Sequence, residues 1–407
     1  MNPILLKGAC NEALIYARNV EASCEDQLMA YLNHELFSDT KVRIMPDVHV
    51  GKGTIVGFTC TRNGFALPSL IGVDIGCGVS AYNIGRRNIP CDKLDAYIRK
   101  NIPTGMDTHK TMDDRIAQAW ELISSGQDKN AGEGQTECGE AQADTTEAGE
   151  AVPLVLFKNE LRRIADVQQQ PIQRVLASLG TLGGGNHFIE IDKDEEKNNW
   201  LLIHSGSRNF GLRIAQYHSM LAIRKTPPAS PLKYLSGDDA EAYYLDMRIA
   251  QKYASLNRAL MAVIIIEGFF KEKVENCKAI DTVHNYVDFR DNIIRKGAVS
   301  SHENESVVIP FSMSEGAVIG TGRGKAEWNY SAPHGAGRKI SRSQARGLSL
   351  DEYRKRMRGI WSSTISKQTL DESPMAYKRS KDILEYIEDT VQITHRLKPL
   401  YNFKAEE

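Results

Sequence analysis

KVRIMPD at Lys41–Asp47, TIVGFTC at Thr54–Cys60 and LIGVD at Leu70–Asp74 are short apolar runs bounded by Pro and Gly. Each is expected to form a strand. LLIH (Leu201–His204), AIDTV (Ala279–Val283) and VVIP (Val307–Pro310) continue the pattern. Among them lies the strongest helical signal, from Ser236 to Asn276. Tyr244, Met247, Tyr253, Leu256, Leu260, Val263 and Ile264 recur there at helical spacing, and Ser236 with Asp239 resembles a capping box. Further helices are expected from Ser349 to about Thr364 and from Ser380 to Arg396. Strands and helices interleave without a fixed period, which excludes a solenoid or a propeller. The expected fold is α/β (α+β), one large domain over residues 1–407 with mixed β-sheets.

The composition places the chain among soluble enzymes. Of 407 residues 25% are charged and 41% hydrophobic, which excludes disordered and fibrous classes. No run approaches the roughly 20 apolar residues of a membrane span. The longest, Leu260–Phe270, is interrupted by Glu267. The N-terminal MNPILLKGACNEAL shows no basic flank before an apolar stretch, so no secretory signal is expected. Seven widely spaced cysteines, an odd number, fit a reduced, cytoplasmic protein. Charge is uneven. Gly126–Glu150 carries seven acidic residues and one basic, and the Gly, Glu, Gln and Thr-rich stretch 126–151 is expected to be an acidic surface loop. Arg338–Arg358 carries eight basic residues and two acidic, a natural place for a phosphate-rich ligand.

Four segments set a metal-binding side chain beside small residues at expected strand ends: VDIGCG (Val73–Gly78), GGGNHFIE (Gly183–Glu190), LIHSGSR (Leu202–Arg208) and VHNY (Val283–Tyr286). Together they offer Asp74, Cys77, His187, His204 and His284. This mixed hard and soft set suits Zn, Mn, Co or Fe(II) rather than Ca or Mg. Five ligands exceed a closed four-coordinate site, so either one metal keeps an open position or two share a bridging ligand. In SAPHGAGRKISR (Ser331–Arg342) two glycines follow His334, and Arg338 and Lys339 come next. Glycine amides can approach phosphate oxygens, Arg can clamp them, and a neutral imidazole can attack phosphorus. RKGAVSS (Arg295–Ser301) and VVIPFSMSEGA (Val307–Ala317) add small and hydroxyl side chains. The glycine pattern of a P-loop is missing around Gly51–Thr54, no HExxH occurs, and no Asp-Gly dipeptide exists to form KxDG. If a nucleotide is activated covalently here, histidine rather than lysine is the acceptor.

PDVHVGKG (Pro46–Gly53), GVDIGCG, LGGGNHFIE, HSGSR, HNY, RKGAVS and HGAGR resemble, in order and content, the RNA-splicing ligase RtcB family, from about Lys41 to the C-terminus. The resemblance implies a deep metal-binding cleft with two Mn(II) ions held by Asp74, Cys77, His187, His204 and His284, with Cys77 bridging. It implies that GTP guanylylates His334. The nucleotide would be held by Asn186, His187, Phe188, Ile189 and Glu190, by His284 and Asn285, by Pro310, Phe311, Ser312 and Met313, by His334, Gly335, Ala336 and Gly337, and by Lys404. Arg208, Lys296 and Arg338 match positions that handle phosphate or RNA. The implied partners are GTP and RNA with 3'-phosphate or 2',3'-cyclic phosphate and 5'-hydroxyl ends, in tRNA splicing or RNA repair. A monomer without membrane contact is expected. Departures from the family pattern are Val283 in place of a second histidine, Gly184 in place of threonine, Phe311 in place of glycine, Ala317 in place of serine, and the acidic 126–151 segment. Two other readings remain open at this point: a dinuclear metal-dependent phosphodiesterase, and an inactive RNA-binding paralogue.

Overall fold

In a computed structural model the described residues are 3–51, 53–111, 114–126 and 153–405. The acidic segment expected to be a loop lies, beyond Gly126, outside them. Two sheets dominate. One has six strands in the order Ile4–Lys7, Glu12–Ile15, Val42–His49, Val56–Thr61, Ile293–Lys296 and Asn285–Asp288, with one parallel pair among antiparallel ones. The other has seven antiparallel strands in the order Ala279–Val283, Gly78–Gly85, Asn199–Ser205, Phe188–Lys193, Val391–Lys404, Ala317–Gly322 and Ser306–Pro310. Its two edges meet, since the Val308 amide donates to Thr282 Oγ1 at 3.0 Å, so the sheet curls nearly into a barrel. The fold is therefore of mixed α/β (α+β) class, as expected.

Register decides where the chemistry falls. In the curled sheet Gly78 lies opposite Ser205 and also opposite Val283, Phe188 opposite His204, and Lys404 opposite Phe188. Five strand ends thus align at one rim. They bring Cys77, His187, His204, His284 and Lys404 together from positions up to 327 residues apart in the chain.

Behind this rim runs the Gly237–Gly268 helix. From Leu256 to Ile266 it is buried throughout, as befits a helix that is apolar on all sides. Two polar residues interrupt that run. Asn257 Nδ2 donates to Thr181 O, Ser205 Oγ and Gly206 O at 3.1–3.2 Å. Fully buried Arg258 donates Nη1 to Gly76 O at 2.9 Å and Ser205 O at 3.0 Å, and grips the Asp281 carboxylate through Nε and Nη2 at 2.8 Å. These contacts tie the Cys77 turn to the end of the His204 strand. Arg258→Met is expected to cost about 3 kcal/mol, mainly from carbonyls left without donors, because Asp281 is partly exposed and can be solvated again. Urea unfolding at fixed pH checks it.

Three expected elements come out differently. Leu70–Asp74 is not a strand: Pro68–Ile71 forms a helical turn, since Pro fits the first helical position, and Gly72 at φ 77° ends it. The helix expected over Ser349–Thr364 spans only Leu350–Arg356, and Gly359 follows at φ 88°. The helix expected to Arg396 stops at Thr390, and Val391–Lys404 is a strand. There Val391, Ile393 and Leu397 gain more from pairing with the strands on either side than from continuing a helix. Ser236 occupies the N-cap of the long helix, but its side chain makes no capping hydrogen bond.

Candidate functional site

Cys77 leaves the Gly76 turn at the start of its strand, and its Sγ lies 3.2 Å from His204 Nε2 and 3.5 Å from His187 Nε2. His187 Nε2 is also 3.1 Å from Asp74 Oδ2, and His204 Nε2 is 3.4 Å from His284 Nε2. Cys77, His187 and His204 place their donor atoms within 4.8 Å of one another. All five expected metal ligands therefore converge. The Ser-Gly-Ser run explains part of this, because a Cβ on Gly206 would collide with Asp74 Oδ1.

The donor chemistry fits a cation. His187 Nδ1 faces Leu182 O at 2.8 Å, and His204 Nδ1 faces Asn186 O at 3.1 Å. A carbonyl only accepts, so each Nδ1 carries its proton; on His204 this leaves Nε2 with a lone pair, while Nε2 of His187 faces the Asp74 carboxylate. Burial, reinforced by the neighbouring histidines, holds His204 and His284 well below the usual imidazole range, so both are neutral. Burial pushes the Cys77 thiol up, and the Asp74 carboxylate beside it adds to this. Burial acts in the same direction on Asp74, but His187 and Arg208 outweigh it and hold the carboxyl low. Lone pairs and a carboxylate thus face each other in a dry recess, and a soft cation that takes up the thiolate satisfies them all.

Next to this group stands His334. Its ring centroid is 5.0 Å from that of His284. Its Nδ1 lies 2.6 Å from Oδ2 of fully buried Asp47, which also accepts the His334 amide at 3.1 Å. Asp47 sits in PDVH, the motif that resembles the family, yet the sequence reading assigned it no role. The buried carboxylate fixes the Nδ1–H tautomer, so Nε2 is the nucleophilic nitrogen. Two residues on, His49 is driven down to about 4, chiefly by burial.

His334 opens into a cleft. Of the expected nucleotide-binding residues, Asn186, Phe188, Glu190, His284, Pro310, Phe311, Ser312, Met313, His334, Gly335, Ala336, Gly337 and Lys404 line it. Three do not: His187 lies below with the metal ligands, Ile189 points into the main core, and Asn285 Oδ1 accepts the Gly297 amide at 3.1 Å. Arg338 lines the wall and holds Glu372 at 3.0 Å. Arg208 crosses the Gly183 backbone where a Cβ would collide, and its Nη2 donates to Gly105 O at 2.9 Å. Lys296 Nζ donates to Ile71 O at 2.8 Å, and burial lowers its ammonium. Arg208 and Lys296 thus flank the Asp74 and Cys77 turn rather than the cleft wall.

The sequence reading did not single out Arg342, Tyr377 and Asn402, which also line the cleft. Arg342 lay in the basic stretch, a usable signal; Tyr377 and Asn402 carried none. Glu372 joins several of these: it is driven down to about 2 because Lys404, Arg342 and Arg338 outweigh its burial, and it pairs with Lys404 at 3.0 Å. Among the described residues no helix is long and apolar enough to cross a membrane.

Sequence comparison covers the same stretch of chain. A family model described as tRNA-splicing ligase RtcB matches residues 29–405. The RNA-splicing ligase RtcB of Escherichia coli K12 is 31% identical over 412 residues, covering 95% of both chains. The tRNA-splicing ligase RtcB of Nanoarchaeum equitans is 28% identical over 467 residues, covering 95% of this chain and 88% of its own. The RNA-splicing ligase RtcB homolog 1 of Entamoeba histolytica is 26% identical over 427 residues, covering 89% and 80%. Matched over nearly its whole length by the family model and by a relative of 31% identity, the chain belongs to the RtcB family.

Proposed function

We propose that this protein is an RNA ligase, acting as one catalytic unit, that joins a 3'-phosphate or 2',3'-cyclic phosphate end to a 5'-hydroxyl end through a guanylated His334. The observation that carries this reading is the placing of His334. Its Nδ1 is held by Asp47 and its ring lies 5.0 Å from the ring of His284, on the wall of the cleft.

Asp74, Cys77, His187, His204 and His284 would hold the cations, two Mn(II). When bound, these supply Lewis-acid stabilisation of charge on phosphoryl oxygens. The chain's own residues do the rest. Asp47 fixes the tautomer of His334 and offsets the positive charge its ring gains on attack. Nε2 attacks the α-phosphorus of GTP; the N–P bond forms, the bond to the β-phosphate oxygen breaks, and pyrophosphate leaves. A cyclic end is first opened by water to the 3'-phosphate. An oxygen of that phosphate then attacks the guanylyl phosphorus and releases His334, leaving an RNA end capped as 3'-pp-G. The 5'-hydroxyl attacks the 3'-phosphorus, loses its proton and expels GMP. Arg338, Arg342 and Lys404, anchored by Glu372, give the cleft a positive wall for phosphates.

The test uses two RNA strands, one ending in a 2',3'-cyclic phosphate and one beginning with a 5'-hydroxyl, with Mn(II). Joining is expected with GTP and absent without it. Opening of the cyclic end followed by no joining, with or without GTP, would instead favour a phosphodiesterase, and RNA binding with neither reaction an inactive paralogue.

A further inference from the structure

At the inner end of the cleft lies an arrangement that neither the metal group nor His334 uses. Glu190 and Asp192 are two residues apart on the Phe188–Lys193 strand and so share a face, while Ile189 and Ile191 point into the main core. Asn402 is the cross-strand partner of Glu190 and donates Nδ2 to its Oε2. Asp192 is fully buried, and among the described residues neither of its oxygens has a protein donor. Its hydrogen-bonding neighbour is the carboxyl of Glu190. Two buried carboxylates in contact repel, so one of them must carry a proton that lies between them. Gly316 packs against the same spot, where a Cβ would come 3.0 Å from Asp192 Oδ2 and close it further.

Charge around the pair decides which acid keeps the proton. Lys404, on the neighbouring strand, is the cation that acts on Glu190. The strand on the other side puts Leu202 and Trp200 opposite Glu190 and Asp192, and neither is charged. Farther along, Glu372 is engaged by Lys404, and His204 lies opposite Phe188. Burial raises both acids, but Lys404 and Asn402 support the anion of Glu190 alone. Asp192 is raised well above the carboxylate range with nothing to offset it, whereas Glu190 comes up to about 7. Near neutral pH Asp192 is therefore the acid that donates, and Glu190 the carboxylate that accepts.

Glu190, Asn402 and Lys404 line the cleft side by side. Asn402 Oδ1 is buried and also has no donor among the described residues. The wall thus offers the Glu190 carboxylate as acceptor and the Lys404 ammonium as donor. The guanine edge, with its carbonyl, ring N–H and amino group, complements that set; adenine, with a ring acceptor facing Glu190, does not. We infer that Asp192, acting as a hydrogen-bond donor, and Asn402 together hold Glu190 as the acceptor that selects guanine over adenine. This rests on the reading of the cleft as a nucleotide site. Asp192 is a positioning residue in it, acting through Glu190.

The test is equilibrium binding of a fluorescent GTP analogue to the full chain with Mn(II), competed with GTP or ATP between pH 5.5 and 8.5. The GTP-to-ATP affinity ratio cancels the metal and triphosphate contributions shared by both. The wild type is expected to favour GTP, and to lose that preference as pH falls through about 7 and Glu190 takes up a proton. Asp192→Leu removes the donor at similar volume; the ratio should drop about tenfold, with its pH midpoint moved up by about one unit. Asp192→Asn, whose amide still donates, should restore both the ratio and the midpoint. Melting curves of both variants control for folding. Leucine and asparagine variants that behave alike would overturn the role of Asp192 while leaving guanine selection intact. A wild type that binds GTP and ATP equally would overturn this inference while leaving the nucleotide site standing, and one that binds neither would overturn the nucleotide reading itself.

Discussion

His334→Ala is expected to abolish transfer of label from α-labelled GTP to the protein and to lower RNA joining by at least about 10⁴-fold, the scale on which removal of a covalent nucleophile acts. The variant should still fold. The side chain of His334 is 19% exposed, and among the described residues its hydrogen-bond partner is Asp47, whose Oδ2 keeps the backbone amide of residue 334. Leaving part of that buried carboxylate unpaired should cost about 2 kcal/mol, too little to unfold a chain of this size. The decisive readout is therefore label on the protein rather than overall activity. RNA supplied already capped as 3'-pp-G provides a second arm: the alanine variant should join it, because that step needs the cations and the 5'-hydroxyl but no guanylated histidine. Label retained on the variant would move the acceptor elsewhere. Loss of joining on capped RNA as well would show that His334 does more than carry the nucleotide.

How much of this site could be read beforehand follows from how local each signal was. Asp74, Cys77, His187, His204, His284 and His334 were legible because each stands beside, or two residues from, Gly, Asn or Ser at an expected strand end, and strand ends at one rim of an antiparallel sheet converge. Five of the six expected strands were legible as bounded apolar runs and the long helix from its periodicity; the exception is Leu70–Asp74, where the position of Pro68 outweighed the β-branched run. Val391–Lys404 was lost because the helical pattern before it continues past Thr390, and only its two partner strands, distant in sequence, decide for β. Asn402 and Asp192 were invisible for the same reason. On a strand predicted from one sequence, an Asn or Asp marks a turn or an exposed edge; that Asn402 meets Glu190 is a fact of register, and that Asp192 shares its face follows only once the strand is known. Asp47 is the instructive omission. It was quoted within its motif, but nothing in the linear order links it to His334, 287 residues away.

Cys77→Ala is expected to lower RNA joining by more than about 100-fold, since even the outer partners of metal ligands are worth 10- to 100-fold and Cys77 touches two ligating imidazoles directly. The bound metal, measured by mass spectrometry after dialysis, should fall with it. Protons supply a more specific test. The thiol is buried and held up, so in the metal-free protein it keeps its proton across the neutral range. Binding the cation must release that proton, because the thiolate is the ligand. In the wild type, metal affinity should accordingly rise with pH through neutrality, and calorimetry in buffers of different ionisation enthalpy should record proton release on binding. Cys77→Ser keeps the shape but replaces the thiol with a hydroxyl that ionises far less readily; it should bind Mn(II) more weakly and release fewer protons. Neighbouring His204 and His284 are neutral already and lose nothing on binding near pH 7, so the missing protons are attributable to residue 77. Equal proton release by the serine variant would mean that Cys77 packs beside the cations without ligating them.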